Sequence, residues 1–195
     1  MINIKVNKET EMTNIKKEDD ISLGRFISLI LRHKPETIGI TIEKQGAWAN
    51  VSELIEGINK VGKVIDINTL ERIVKEDNKQ RYSFNEDHTK IRANQGHSIE
   101  VCIDFQEKVP PKTLYHGTAE RFLESIKKTG INKMNRLYVH LSKDEETAMA
   151  VGKRHGKPIV LKIDTEEMIK DGYKFYLSEN NVWLCENIPW KYVNF

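Results

Sequence analysis

The sequence predicts an α+β protein in two lobes. Three helices followed by a β-hairpin, the order of a winged helix, precede a mixed lobe in which strands and short helices alternate. Three observations predict this. Apolar residues recur at helical spacing in three successive segments of the first 76 residues. Between residues 81 and 93 the text turns to RYSF, NEDHT and KIRA, which reads as strand, turn and strand. Beyond residue 114, stretches such as PIVLKID alternate with short amphipathic helices, and no GxGxxG follows a strand, so a doubly wound sheet is not expected.

Composition narrows the class of protein. A chain of 195 residues suits one or two domains. With 38% hydrophobic and 31% charged residues it has a modest core and a polar surface. A net charge of +2 is low for a pure nucleic-acid binder, so any polyanion site must be a local cluster of Arg and Lys. Cys102 and Cys185 form no ligand pattern and read as buried thiols in a reducing compartment. No apolar run approaches the length of a membrane helix and the N-terminus lacks a signal-peptide core, so a cytoplasmic protein is expected.

Taken in order, residues 1–20 are rich in Lys, Glu and Asn without a period and read as a mobile arm. Residues 22–33, SLGRFISLILRH, place Leu23, Phe26, Ile27, Ile30 and Leu31 on one helical face, with Ser22 as N-cap. Lys34 precedes Pro35, which disfavours further helix, so Arg32 and His33 fall in the last turn. There they could simply cap the helix dipole. A short strand around Trp48 comes next, then a helix over 51–59 and a third over 68–76 with Asn68 and Glu71 as a loose capping box.

The hairpin follows, and then VCIDF, a short strand over 101–105, ahead of two prolines that can enter neither a central strand nor a helix. The lobe boundary therefore falls near 100–111, giving an arm over 1–20, a first lobe over 21–100 and a second over 101–195.

In the second lobe LYHGT is a strand running into a turn. Residues 119–129 form a helix with Phe122, Leu123 and Ile126 inside and Gly130 just past its end. RLYVHLS alternates like a strand over 136–142, 144–154 is helical and stopped by Gly156, and PIVLKID is a buried strand. TEEMIKDG is a short helix, and two or three last strands lie around the Glu179, Asn180, Asn181 turn.

The most informative stretch for function is IRANQGHS, residues 91–98. Apart from Ile91 and Ala93 it cannot support a core, and its Arg, Asn, Gln, His and Ser are groups that suit an anion or a base. Three further polar pieces accompany it: LRH (Arg32, His33), YHGT with VHLS (His116 to Thr118, His140 to Ser142) and GKRHG (residues 152–156). Arginines beside histidines suggest a phosphate site, because a guanidinium grips phosphate through two parallel hydrogen bonds. Each piece taken singly is also compatible with a purely structural role. The histidines lack metal-ligand spacing, so no metal is expected, and no GxSxG or Cys-His signature points to a triad hydrolase.

In this order and spacing, LRH, RANQGHS, YHGT, VHLS, GKRHGKP and SENNVWL resemble the RNA 2′-phosphotransferase family over about residues 22–193. The resemblance implies a winged-helix N-terminal lobe and a C-terminal lobe of the ADP-ribosyltransferase type. It implies NAD as a consumed co-substrate and RNA bearing an internal 2′-phosphate, as at a tRNA splice junction, as partner. The phosphate would attack C1″ of the nicotinamide ribose and expel nicotinamide. The ribose O2″ would then attack phosphorus, releasing RNA with a free 2′-OH and ADP-ribose 1″,2″-cyclic phosphate.

The family's essential set maps onto Arg32, His33, Arg92 and Arg154, and its NAD signature onto His116, Gly117, Thr118, His140 and Ser142. Gln95, His97 and His155 would neighbour the substrate phosphate. Val182 stands where many ADP-ribosyltransferases carry a late Glu, which fits a phosphate nucleophile that needs no strong base.

Two other readings stay open at this point: an ADP-ribosyltransferase acting on nucleic-acid phosphate ends or on protein, and a non-enzymatic winged-helix nucleic-acid binder. The intact YHGT and GKRHG pieces speak against the binder. A monomer is expected, since no amphipathic helix is left over for a partner.

Overall fold

The computed structural model describes residues 18–195. The chain divides into two compact units, one ending at Ile103 and the other running from Asp104 to Phe195, and both mix helix with sheet. Of the expected arm, residues 1–17 lie outside the described residues, whereas 18–20 are already helical. Ser22 is therefore interior to its helix and does not cap it.

In the first unit α1 covers residues 18–32, α2 Val51–Lys60 and α3 Ile67–Glu76. The cap of α2 is Asn50, whose Oδ1 accepts from Glu53 N at 3.1 Å. The cap of α3 is Asp66, which accepts from Thr69 N at 2.8 Å, so the helix starts just after Asp66 and Asn68 lies inside it. Three strands, β1 (Ala49–Asn50), β2 (Tyr82–Phe84) and β3 (Lys90–Ala93), form an antiparallel sheet with β3 in the middle. Its register sets Ala49 opposite Ile91 and Ser83 opposite Arg92.

Strand alternation turns Ile91 and Ala93 into the core and leaves Lys90 and Arg92 on the other face. The core joins Ile27, Ile30 and Leu31 of α1 to Leu54 and Ile58 of α2, Leu70 and Ile73 of α3, and Ile91. Asp20 clamps Arg72 through two bonds of 2.8 Å, tying α1 to α3. Segment 101–105 is not a strand. Val101 and Ile103 pack on this core, and an isolated bridge joins Cys102 to Gln45. Cys102, expected inside, is exposed; Cys185 is buried, and burial pushes its thiol up to about 11.

The second unit is built on three antiparallel sheets. β5 (Thr113–Ala119) lies against β8 (Pro158–Asp164) along its whole length, with β12 (Val193–Asn194) on the far side of β8. β4 (Gln106–Glu107), β9 (Tyr176–Leu177), β10 (Trp183–Cys185) and β7 (Val139–Leu141) form the second sheet in that order, and β6 (Ile131–Asn132) pairs with β11 (Asn187–Ile188). Leu114, Leu161, Ile163, Met168 and Phe175 are the fully buried centre.

The helix expected over 119–129 is shorter. Ala119 still pairs with Pro158, Glu120–Phe122 is a 3-10 turn, and α4 spans Leu123–Thr129. Phe122, expected inside, is 41% exposed as a result. The strand expected over 136–142 shrinks to β7, with Arg136 in a bend before it. The helix expected over 144–154 is capped by Asp144, runs as α5 over Glu145–Gly152 and tightens into a 3-10 turn over Lys153–His155. α6 is Thr165–Lys170.

Candidate functional site

The polar residues fall into two groups, one in each unit. In the first, the end of α1 meets the loop after β3. Ser98 N donates to the Arg32 carbonyl at 2.9 Å, and Ser98 Oγ lies 2.9 Å from His33 Nδ1. Gly96 makes the turn possible: its φ of +89° is costly for other residues, and its backbone passes beside the Arg32 guanidinium. Arg92 reaches over the Trp48 ring, 4.5 Å from its centroid, as a cation–π pair, and its Nη1 lies 3.4 Å from the Gly46 carbonyl. Arg32 Nε and Nη2 and Arg92 Nε are all shut off from solvent.

His97 sits inside this cluster, fully buried, and among the described residues neither ring nitrogen has a hydrogen-bond partner. Burial holds its pKa down to about 4, and the charges of Arg32, His33 and Arg92 push the same way. It is therefore neutral at physiological pH. Asn94 is pinned to the preceding chain, through its Nδ2 to the Gln80 carbonyl at 2.8 Å and its N–H to the Arg81 carbonyl at 2.8 Å. Gln95 is half-buried in the same loop. Tyr82, whose hydroxyl donates to the Gly24 carbonyl at 2.6 Å, has its pKa raised by burial against the opposing charge of Arg32.

The second group forms where β5 meets the end of β7. Tyr115 and Ser142 exchange both main-chain hydrogen bonds, at 2.9 and 2.8 Å, which sets YHGT beside VHLS. His116 Nδ1–H donates to the His140 carbonyl at 3.1 Å. Burial lowers the pKa of His116, and the charges of Arg136 and His155 reinforce the shift. Arg136 Nη1–H donates to His140 Nδ1 at 2.9 Å.

Gly117 and Thr118 are buried, and α5 packs directly on them. A Cβ on Gly117 would stand 1.7 Å from the Ala148 carbonyl oxygen, and one on Gly152 would stand 2.6 Å from the Thr118 oxygen. This close approach fixes the end of α5, and with it the exposed turn carrying Arg154 and His155. Among the described residues no carboxylate pairs with Arg154, and none groups with His or Cys as a metal site.

The structure thus brings Arg32, His33, Arg92, His97 and Ser98 together, and separately His116, Gly117, Thr118, His140 and Ser142. Arg154 and His155 follow from α5. Sequence reasoning missed Trp48, which backs Arg92, and Arg136. An Arg four residues before a site His in an extended strand would stand about 13 Å away along the chain, so only the bend brings the two together. Val182 directly precedes β10, and its main chain is held by Ser178.

Guanidinium groups beside imidazoles suit a phosphorylated ligand, and comparison with known proteins gives the class, a transferase. The family model described as RNA 2′-phosphotransferase, Tpt1 / KptA family matches residues 18–187. A probable RNA 2′-phosphotransferase of Fusobacterium nucleatum is 64% identical over 179 residues, covering 91% of this chain and 99% of its own. Similarly named proteins of Flavobacterium johnsoniae and Burkholderia pseudomallei are 51% identical over 174 residues and 45% over 172, covering 89% and 88% of this chain and 95% and 93% of theirs. The chain belongs to the RNA 2′-phosphotransferase, Tpt1 / KptA family.

Proposed function

We propose that the protein is an NAD-dependent RNA 2′-phosphotransferase that removes an internal 2′-phosphate from RNA through a 2′-phospho-ADP-ribosylated RNA intermediate. The observation that carries the reading is the crowding of Arg32, His33 and Arg92 around a buried, neutral His97. Two guanidinium groups beside imidazoles suit a phosphate, whose oxygens accept two parallel hydrogen bonds from each guanidinium.

The second group suits the co-substrate. Imidazoles and hydroxyls at His116, Thr118, His140 and Ser142, with no acidic side chain among them, match the hydroxyls and carboxamide of a nicotinamide riboside. NAD would supply an electrophilic ribose C1″ with nicotinamide as leaving group. Arg32 and Arg92 orient the 2′-phosphate, so that one of its oxygens bonds to C1″ as the bond to nicotinamide breaks. Attack by O2″ on phosphorus then breaks the bond to the RNA 2′-oxygen, which leaves and takes a proton. Arg32 and Arg92 stabilise the charge that builds up on the phosphoryl oxygens in this step. His33, its Nδ1 held by Ser98, is the imidazole of this group that can serve as proton carrier.

The test is to incubate the full chain with NAD and an oligonucleotide bearing one internal 2′-phosphate. Nicotinamide, a free 2′-OH and ADP-ribose 1″,2″-cyclic phosphate are expected. A stable ADP-ribosylated RNA would mean that only the first step operates, and unchanged substrate would remove the reading altogether.

A further inference from the structure

Arg136 has no place in the motifs, yet it makes the most specific polar contact in the second group. Its Nη1 lies 2.9 Å from His140 Nδ1. A guanidinium has five donors and no acceptor, so His140 Nδ1 must present its lone pair. The ring is then neutral with its proton on Nε2. On the other side the His140 carbonyl lies 3.1 Å from His116 Nδ1. A carbonyl only accepts, so His116 carries its proton on Nδ1 and presents an Nε2 lone pair. The two imidazoles are fixed in opposite tautomers, one offering a donor and the other an acceptor.

The usual partner that orients a histidine is a carboxylate or carbonyl, which takes the Nδ1 proton and favours the imidazolium. A guanidinium does the reverse, because protonating Nδ1 would set N–H against N–H. Arg136 has no carboxylate within ion-pair distance among the described residues, and burial lowers its pKa without an opposing acidic group. Its inner end is therefore committed to the ring and not to an ion pair.

We propose that Arg136 is a positioning residue that locks His140 as a neutral Nε2–H donor, complementary to the acceptor on His116, for a neutral hydroxyl or amide group of the co-substrate. The ligand half of this inference rests on the NAD reading above; the tautomer half does not. Such a pair also discriminates, since the His116 lone pair repels a phosphate oxygen and accepts from a hydroxyl.

The experiment is long-range ¹H–¹⁵N imidazole spectroscopy on the full chain, with the His140 ring assigned by its loss in His140→Gln. NAD titration is run on the same samples of wild type, Arg136→Ala and Arg136→Lys. Wild type is expected to show a single Nε2–H tautomer at His140. Arg136→Ala should mix the tautomers and weaken NAD binding roughly tenfold with kcat changed far less. Arg136→Lys, which can still donate to Nδ1, should recover most of both.

A His140 spectrum that Arg136→Ala leaves unchanged overturns the lock. A lock that is lost with no change in NAD affinity overturns the positioning role. A wild type that shows the lock but binds no NAD overturns the NAD reading, and with it the ligand half of this inference, while leaving the tautomer result standing.

Discussion

Gly117→Ala tests how tightly the second group is built. The new Cβ would stand 1.7 Å from the Ala148 carbonyl oxygen, 2.6 Å from its carbon and 3.0 Å from Gly152 N. All three are main-chain atoms of α5, so no side chain can swing aside. Restoring ordinary contact requires α5 to move off β5 by roughly 1.5 Å. Overpacking in a core costs about 1–3 kcal/mol when side chains and local backbone can adjust. With a helix to displace, the upper end, about 3 kcal/mol or more, is expected.

For a chain of this length a loss of that size lowers Tm by roughly 6–12 °C. Because the turn bearing Arg154 continues α5, the same shift should reduce turnover about 10²-fold even at temperatures where the variant is folded. The control is Gly172→Ala in the same unit, where φ is +86° but nothing lies within 4 Å of the added Cβ. Conformational strain alone should cost it about 1 kcal/mol and leave turnover intact. Urea melts followed by tryptophan fluorescence, with turnover measured in parallel, separate the two effects. Equal destabilisation of both variants would refute the close-approach argument.

Arg92→Ala and Arg154→Ala should each abolish removal of the 2′-phosphate while circular dichroism and melting stay near wild type; near-normal turnover by either folded variant would sink the assignment of that arginine. Arg32→Ala and His33→Ala should slow the second step more than the first, by on the order of 10²–10³, so that a time course with radiolabelled 2′-phosphate shows ADP-ribosylated RNA building up. Equal slowing of both steps with no intermediate would refute that division. Because the folded pKa of His97 is about 4 and its ordinary value 6.5, the unfolded chain takes up this proton first as pH falls. Stability should therefore drop from about pH 6.5 and level off below about pH 4, by about 3 kcal/mol in total. Urea melts of His97→Leu across that range should lack this component, and an unchanged slope would show that His97 is not its source.

Much of the fold was legible because the deciding interactions are local. β3 and β8 match KIRA and PIVLKID residue for residue: the first alternates cleanly, the second holds the short apolar run of a buried strand, and both are bounded by turn residues. Errors arose where a nearby competitor took over. Asp66 outcompeted Asn68 as the cap of α3, and pairing of Ala119 with Pro158 drew that residue out of a helix and left Phe122 in solvent.

VCIDF has strand composition, but it is held by core packing of Val101 and Ile103 more than by a ladder. For the candidate site the residue types stood out in sequence, whereas their grouping depends on distant contacts. His33 meets Ser98 across 65 residues, and the role of Arg136 depends on a bend that its alternating neighbours conceal.

The Ser98 bonds to Arg32 and His33 have a bearing on synthesis. A ribosome releases the end of α1 long before it adds the residue that organises it. At about 5–20 residues per second, the 65 intervening residues take roughly 3–13 s. Through that interval a nascent chain carries LRH on an unsupported helix end, with Arg92 not yet made when the first helices emerge. The cluster around His97 is therefore complete only once the QGHS turn clears the exit tunnel.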